Sequence, residues 1–344
     1  MTRFRLLADD LTGALDSAAK FCPAFGAVPV AWADDVSVPV LALDSFTRDA
    51  DAATARSRVE TMAPALAGAA LAFKKLDSLL RGHVAVEIAA CLRAGKFDAV
   101  VIAPAFPAQG RITRDGRQLA HGADVGVDLA GDLANQGIPV ARRRPGDDLP
   151  PGVSFWDAET DGDLDAIAGL ERRRVLWCGT AGLAGALARA LPARPGAAAG
   201  ATLARPIVAL VGSDHPVAQT QLSACAARVV LAGNGEKIPD GAAVHVAIPP
   251  GTGRAEAAER IAAAFDRLIA RMDRPGTLVV TGGETLRKIC AGLGAAGLVV
   301  EGEIAPGVPV SRLLGGRWDG LRVVSKSGAF GDTGLLARLL QGSA

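Results

Sequence analysis

Short, nearly continuous apolar runs alternate along the whole chain with longer stretches in which apolar residues recur every third or fourth position. The short runs predict strands at Phe4–Ala8, Val38–Leu43, Leu71–Lys74, Ala99–Ala103, Arg174–Cys178, Ile207–Val211, Ala243–Ile248, Leu278–Thr281 and Arg322–Ser325. The longer ones predict helices at Ala50–Leu66, Val84–Ala94, Ala181–Leu191, Ala255–Arg271 and Thr285–Leu293. Strands that are apolar on both faces and separated by helical stretches imply parallel sheets covered on both sides. The expected fold class is therefore α/β.

The segment Leu191–Pro206 combines three prolines with small residues directly after a helical pattern, which is linker composition. It divides the chain into an expected first domain at 1–195, a linker at 196–206 and a second domain at 207–344, each a mainly parallel sheet flanked by helices. A length of 344 residues suits two cores better than one. A second irregular zone, Arg142–Gly152, reads as a solvated loop inserted in the first domain.

Composition narrows the functional classes. Lys and Arg total 37 against 36 Asp and Glu, and aromatic residues make up 4% with no tyrosine, so neither a basic groove nor stacking platforms for nucleic acid are signalled. None of the five cysteines, Cys22, Cys91, Cys178, Cys225 and Cys290, falls in a C-x-x-C pair; they read as buried small hydrophobes in a reducing compartment. The first apolar run ends at Asp9-Asp10, unlike a secretory signal, and the longest uncharged apolar stretch, Val175–Ala188, is too short for a membrane helix. A cytoplasmic location with no membrane and no nucleic-acid partner is expected; self-association into a homo-oligomer is left open.

In open α/β sheets ligands bind beyond the carboxyl ends of the strands. The first strand ends in Asp9-Asp10-Leu11-Thr12-Gly13, two carboxylates at a strand-to-helix turn where one would suffice as a cap. The strand at Leu71–Lys74 ends in Lys74-Lys75-Leu76-Asp77-Ser78-Leu79-Leu80-Arg81-Gly82-His83, in a chain with seven lysines against thirty arginines. Lys75, Ser78 and Arg81 offer donors suited to an organic carboxylate, and Asp77 can accept from a substrate hydroxyl. Arg111, after a Pro-Gly turn, is placed to complete the anion site.

Beyond the linker the strand ends carry glycine instead of charge: Gly212-Ser213, then Gly282-Gly283-Glu284-Thr285 opening a helix, then Lys326-Ser327-Gly328-Ala329-Phe330-Gly331. Glycines at such turns let backbone N–H groups approach a polyphosphate at the positive end of a helix. The phosphate loop G-x-x-x-x-G-K-[ST] is absent, and so is a dinucleotide G-x-G-x-x-G; Gly179–Gly185 differs in spacing.

Taken in order, Asp9-Asp10-Leu11-Thr12-Gly13 with Asp16, Lys75-Leu76-Asp77-Ser78 with Leu80-Arg81-Gly82, Pro107 with Gly110-Arg111, Gly179–Ala184, Thr281–Thr285, Pro306–Pro309 and Lys326–Gly331 resemble the four-carbon acid sugar kinase family. The resemblance implies a sugar-acid domain followed by a nucleotide domain, a site in the cleft between them, and ATP with Mg2+ as cofactors. It implies substrate contacts at Asp10, Lys75, Asp77 and Arg81, extended here to Asp9, Thr12, Ser78 and Arg111. It also implies ATP contacts at Ser213, Gly282, Gly283, Glu284, Thr285, Gly328 and Gly331, to which Lys326 is added as a countercharge. Asp10 or Asp77 would be the general base; the metal ligands are unknown. The chain departs from the family at Leu79 and His83, where threonine and asparagine are usual. Those departures motivate an alternative, a sugar-acid sensor that keeps the fold without the reaction; an NAD-dependent dehydrogenase is a further one.

Overall fold

The computed structural model describes residues 3–33, 35, 37–170, 174–194, 202–225, 229–232, 238–249 and 251–343. The chain divides into two compact units, Met1–Ala197 and Ala198–Ala344. Most of the expected linker, residues 196–201, lies outside the described residues.

The N-terminal unit runs β1 (Phe4–Ala8), α1 (Leu11–Phe25), β2 (Val28–Ala31), β3 (Val40–Asp44), α2 (Ala52–Met62), α3 (Pro64–Ala67), β4 (Leu71–Lys75), α4 (Val84–Ala94) and β5 (Ala99–Ala103). It continues with β6 (Arg111–Arg114), β7 (Arg117–Ala120), β8 (Ala123–Asp124), α5 (Leu129–Asn135), β9 (Val140–Arg143), β10 (Gly152–Trp156), α6 (Asp161–Ala168), β11 (Val175–Gly179) and α7 (Ala181–Arg189). Among the described residues its main sheet has the order β2-β3-β1-β4-β11-β5-β10-β9, every pair parallel. β1, β3, β5 and β11 are buried along their whole length, as strands covered on both faces must be. On one face Phe4 meets Phe21 of α1 at 4.5 Å between ring centres, and Phe21 meets Phe73 of β4 at 6.1 Å. On the other, Leu7, Leu43, Ala72 and Leu176 pack with Val59 of α2 and Ile88 of α4; each fully buried Leu or Phe contributes about 1.5–3 kcal/mol.

The C-terminal unit runs β12 (Ile207–Val211), α8 (Pro216–Ala224), β13 (Val229–Leu231), β14 (Ala242–His245), α9 (Arg254–Arg271), β15 (Thr277–Thr281), α10 (Gly283–Gly292), β16 (Gly297–Ala305), β17 (Val308–Leu314), β18 (Arg322–Lys326) and α11 (Leu335–Gln341). The strand order is β13-β14-β12-β15-β18-β17-β16; β17 is antiparallel to both its neighbours and the rest are parallel. Both units are thus α/β, with helices flanking a parallel or mixed sheet.

Beyond several short elements that the pattern does not mark, such as β2, β13 and α8, three features depart from the pattern-based expectation. The expected helix Ala50–Leu66 breaks into α2 and α3 at Ala63, because Pro64 has no N–H to continue the ladder. The expected loop at Arg142–Gly152 is shorter, since Arg142 and Arg143 close the edge strand β9, where charged side chains are at home. The antiparallel pieces, the β6-β7-β8 meander and the β16-β17 hairpin, were not expected at all.

A buried ion pair ties β4 to α4. Lys74 Nζ lies 2.7 Å from Glu87 Oε2, with the two side chains 0% and 2% exposed. Thr47 Oγ1 donates to Glu87 Oε1 at 2.6 Å, which pins the loop after β3 to the same helix. Burial alone would lower the Lys74 ammonium, but Glu87 and then Asp9 outweigh it, so its pKa is raised. Removing one partner strands a buried charge: Glu87→Leu should cost about 3–5 kcal/mol, and the double variant Lys74→Met/Glu87→Leu should recover most of that. Urea unfolding of the single and double variants checks both; equal losses would contradict a paired charge.

Candidate functional site

The connections of the N-terminal sheet reverse direction between β1 and β4. From β1 the chain passes through α1 to β2 and β3 on one side, while from β4 it passes through α4 to β5 on the other. A crevice opens beyond the carboxyl ends of strands at such a reversal. In register, Ala8 pairs with Asp44 and Leu7 with Lys74, so the residues just past β3, β1 and β4 emerge side by side. They are Ser45–Arg48, Asp9-Asp10 and Leu76–Arg81.

Arg48 is the centre of this edge. Its Nη2 donates to Asp9 Oδ1 at 2.7 Å and to Asp10 Oδ1 at 2.8 Å, its Nε contacts Asp9 Oδ2, and its Nη1 lies 3.2 Å from Asp77 Oδ1. One guanidinium therefore gathers carboxylates from two other loops. Burial would raise Asp9, but the Arg48 charge and hydrogen bonds, with Lys74 and Lys75 behind, hold its carboxyl below the usual range. Arg48 itself is pushed well up: Asp10, Asp9 and Asp77 together overcome its own burial.

The three aspartates differ in what they have left to offer. Asp9 is buried, with both oxygens on Arg48. Asp77 accepts from the backbone N–H of Leu79 and of Arg81 (3.1 Å each) and from Arg81 Nε and Nη2 (2.8 Å each). Burial opposes its ionisation, yet the Arg81 hydrogen bonds and the Arg48 charge hold it far below the usual carboxylate range. Asp10 caps α1 by accepting from Gly13 N–H at 3.0 Å. That capping bond and the Arg48 bond both fall on Oδ1, and among the described residues nothing donates to Oδ2. Asp10 is also the most open of the three, its side chain 24% exposed.

Alternation along β4 separates the lysine pair. Lys74 points to Glu87, whereas Lys75 Nζ donates to Leu76 O at 2.6 Å and crosses the first turn of α1, where a methyl group at Gly13 would stand 3.0 Å from it. Arg81 is half exposed and held by Asp77. Arg111 contacts the Gln109 carbonyl, its Nε has no partner among the described residues, and burial lowers its pKa against the pull of Asp77. Thr12 stands in the first turn of α1 and Ser78 in the turn after β4, where its carbonyl accepts from Gln118 Nε2 at 2.9 Å. His83 precedes α4 without capping it; its ring bonds to the Ala50 carbonyl at 2.6 Å. The glycines of Gly179–Gly185 serve close packing, since a methyl group at Gly179 would sit 2.7 Å from Ala103 O.

Arg48, Thr47 and Glu87 were not singled out by the sequence. Arg48 sits in Thr47-Arg48-Asp49, an ordinary polar loop until the pairing of β3 with β1 places it; a carboxylate pair at one strand end does signal that a neighbouring loop must supply a cation.

In the C-terminal unit the reversal falls between β12 and β15. The three glycine turns follow β12, β15 and β18, which are adjacent. Gly282 N–H donates to Lys326 O at 3.0 Å and Gly212 N–H to Thr281 O at 3.1 Å, locking the turns together. Their approach leaves no room for side chains: a methyl group on Gly328 would lie 1.9 Å from Ser213 Oγ, and one on Gly212 would lie 2.0 Å from Thr285 Oγ1. Gly282 has φ +104°, a conformation open to glycine, and Gly283 begins α10. Gln221 of α8, also unforeseen, donates to the carbonyls of Phe330, Gly331 and Asp332 at 2.8–3.2 Å and fixes the last turn. Glu284 pairs along α10 with Lys288 at 3.0 Å, and Gly331 packs on Leu335.

Lys326 is the exception in this polar rim. It is 1% exposed, and no partner reaches its Nζ among the described residues. Burial pulls its pKa down to about 8. A buried ammonium without a partner among the described residues is costly, and an anion beside it would relieve that cost.

No cluster of three His, Cys, Asp or Glu among the described residues is disposed to hold a metal ion, and no helix there is long and apolar enough to cross a membrane. Comparison with known proteins gives a sugar-binding N-terminal domain family over residues 4–142 and a nucleotide-binding C-terminal domain family over residues 229–336. The chain is 30% identical to a D-threonate kinase of Bordetella bronchiseptica, with 98% of this chain and 96% of that protein aligned. It is 30% identical to a D-threonate kinase of Cupriavidus necator over 96% and 95% of the two chains, and 28% identical to a 3-oxo-tetronate kinase of Methylobacterium radiotolerans over 97% of each. The fold also matches Haemophilus influenzae protein HI1011, at a TM-score of 0.70 and 18% identity over 98% of this chain and 99% of that one. With both domain families in this order and near-complete alignment to these relatives, the chain belongs to the four-carbon acid sugar kinase family, enzymes built from a sugar-binding and a nucleotide-binding domain.

Proposed function

We propose that the protein transfers the γ-phosphoryl group of ATP to a hydroxyl, the terminal one, of a four-carbon sugar acid such as a threonate, an erythronate or a 3-oxo-tetronate. The observation that carries this reading is the free Oδ2 of Asp10, the one oxygen of the three aspartates that is left open at an edge otherwise rich in cations. Around it Arg48, Lys75, Arg81 and Arg111 face Asp9, Asp10 and Asp77, so one positive charge is left over, which suits a ligand with a single carboxylate.

The substrate carboxylate binds Arg81 and Lys75, with Arg111 beside them, while Thr12 and Ser78 offer hydroxyls to the rest of the chain of the sugar acid. Asp10 Oδ2 takes the proton of the acceptor hydroxyl as that oxygen bonds to the γ-phosphorus; the bond from phosphorus to the β–γ bridging oxygen breaks and ADP leaves. Asp77 is unsuited to this task, because donors already occupy both its oxygens; it orients Arg81 instead. Ser213, the Gly282–Thr285 turn, Gly328 and Gly331 line the place of ATP, and Lys326 supplies charge to the phosphates. Among the described residues no group of three His, Cys, Asp or Glu is disposed to hold Mg2+, and the ion is assigned to the nucleotide with no residue given to it.

An ADP-release assay across threonates, erythronates and their oxo forms tests the reading directly; ligand binding without ADP release by any of them would sink it. With the best substrate, Asp10→Asn should lower kcat about 100- to 10,000-fold, while Asp77→Asn should act mainly by raising KM. The reverse pattern would exchange the two roles.

Nucleotide binding should depend on pH through Lys326. Its ammonium is present below its pKa of about 8 and lost above it, so ATP affinity should fall roughly tenfold from about pH 7 to about pH 9. Calorimetric titration of wild type and Lys326→Met checks this: the variant should bind more weakly at neutral pH and without that slope. A wild-type affinity indifferent to pH would remove Lys326 from the site.

A further inference from the structure

Arg48 reaches its position through a loop with unusually many anchors. Ser45 donates from both its N–H and its Oγ to Ala8 O, at 2.9 and 2.8 Å, and the N–H groups of Thr47 and Arg48 both donate to Asp9 O, at 2.9 and 3.1 Å. Phe46, between them, is held at φ +51° with its N–H on Asp44 Oδ1 at 2.9 Å. A bulky residue in the left-handed region costs about 1–2 kcal/mol and persists only where its surroundings over-determine it. The loop thus spends strain to deliver one side chain to one place.

At that place the guanidinium is already saturated by protein. Its Nε, Nη1 and Nη2 each meet a carboxylate, and the side chain is 13% exposed, so it has little to offer a ligand. Its neighbours show what it does. Asp9 and Asp10 come from the turn after β1, Asp77 from the turn after β4, and without Arg48 the three would converge with no cation between them. Two like charges about 5 Å apart repel by about 3 kcal/mol at an effective dielectric near 20. The other charged groups facing the cluster do not replace Arg48. Lys74 is committed to Glu87 of α4, Lys75 to the Leu76 carbonyl, and Arg81 to Asp77 as a hydrogen-bond donor; Arg111 acts on Asp77 from the start of β6.

We propose that Arg48 is a positioning residue: it fixes Asp10 with Oδ2 outward and keeps the three carboxylates from sharing a proton, without itself touching the sugar acid. This rests on the reading of Asp10 as the proton acceptor. With Arg48 gone, burial, the largest influence on both Asp9 and Asp77, acts upward against fewer opposing charges, and the cluster retains a proton at a pH where the wild-type cluster holds none.

The test uses the full chain. In Arg48→Gln, kcat should fall about 100-fold or more while KM for the sugar acid moves less than about threefold, and added guanidinium at non-denaturing concentration should restore about tenfold of the loss. Independently of any turnover, carbon-13 carboxyl NMR of aspartate-labelled protein, assigned through Asp9→Asn and Asp77→Asn, should show one carboxyl of the cluster titrating above about pH 5 in Arg48→Gln and none there in wild type. If Arg48→Gln does not fold, Arg48→Lys takes its place: a point charge cannot span three carboxylates, so kcat should still fall by about tenfold or more at constant KM. A raised KM with kcat intact would make Arg48 a substrate contact and overturn the proposal, as would identical carboxyl titrations in the folded variant and wild type. Absence of phosphoryl transfer by wild type would fall on the proposed function instead, and the NMR titration would still decide whether Arg48 keeps the cluster free of protons.

Discussion

The N-terminal site depends on the register in which β1 pairs with its two neighbours. Ala8 opposite Asp44 and Leu7 opposite Lys74 bring three strand ends level, so that polar residues one to four positions further on share a small volume. The side-chain period of a strand is two, so slipping β4 by one residue would exchange Lys74 and Lys75 between faces. A slip in one direction would carry Lys75 into the place of Lys74 opposite Glu87, and a slip in the other would leave Glu87 without that ammonium. A buried ion pair is weak evidence for stability in itself. Here its consequence is local: it ties the first turn of α4 to the end of β4, where Lys74 emerges.

The same register explains why charge can be concentrated at this edge without unfolding it. Each acid is matched before any ligand arrives: Asp9 by Arg48, Asp77 by Arg81 and two backbone N–H groups, Asp10 by a helix cap and Arg48. The strain at Phe46 and the desolvation of Arg48 are offset by that matching. What remains unmatched is one carboxylate oxygen and the outward sides of a few cations. A site prepared in this way loses little in reorganisation when its ligand binds, which is the condition under which fixed charges act most strongly on a reaction.

The central parallel strands were legible because burial on both faces forces continuous apolar runs, while the short edge strands β2, β9 and β13 were not; the strand-end acids, cations and glycines stood out because they interrupt those runs. The antiparallel pieces were not. In β16 and β17 the polar positions Glu301, Glu303 and Arg312 dilute the apolar signal, and the Pro306-Gly307 turn was read as a motif and not as a hairpin tip. Arg48 was hidden for a different reason. Its chemistry comes from strand order, in which β3 lies beside β1, and a pattern along one chain contains no strand order. Glu87 was hidden in the amphipathic pattern of α4, where an acid on the first turn is also what a helix dipole favours. Of the three aspartates, the sequence does not separate one from another; the donors on each oxygen are what distinguish Asp10 in the proposed reading.

The two units handle burial of charge in opposite ways, and the contrast fits the two ligands proposed for them. A sugar acid is small and carries one carboxylate and several neutral hydroxyls, so its site must be nearly neutral and finely directional; saturated ion pairs supply directions while cancelling most of the field. A triphosphate carries several charges on oxygens that any N–H can approach, so directions come cheaply from glycine turns and what is scarce is positive charge. In the proposed reading Lys326 would meet that need: it is desolvated, without a partner among the described residues, and its pKa is lowered to about 8. An anion bound against that ammonium would gain affinity twice over, because it would remove a burial penalty as well as add an attraction. A lysine already paired with a carboxylate, as Lys74 is, could not do this.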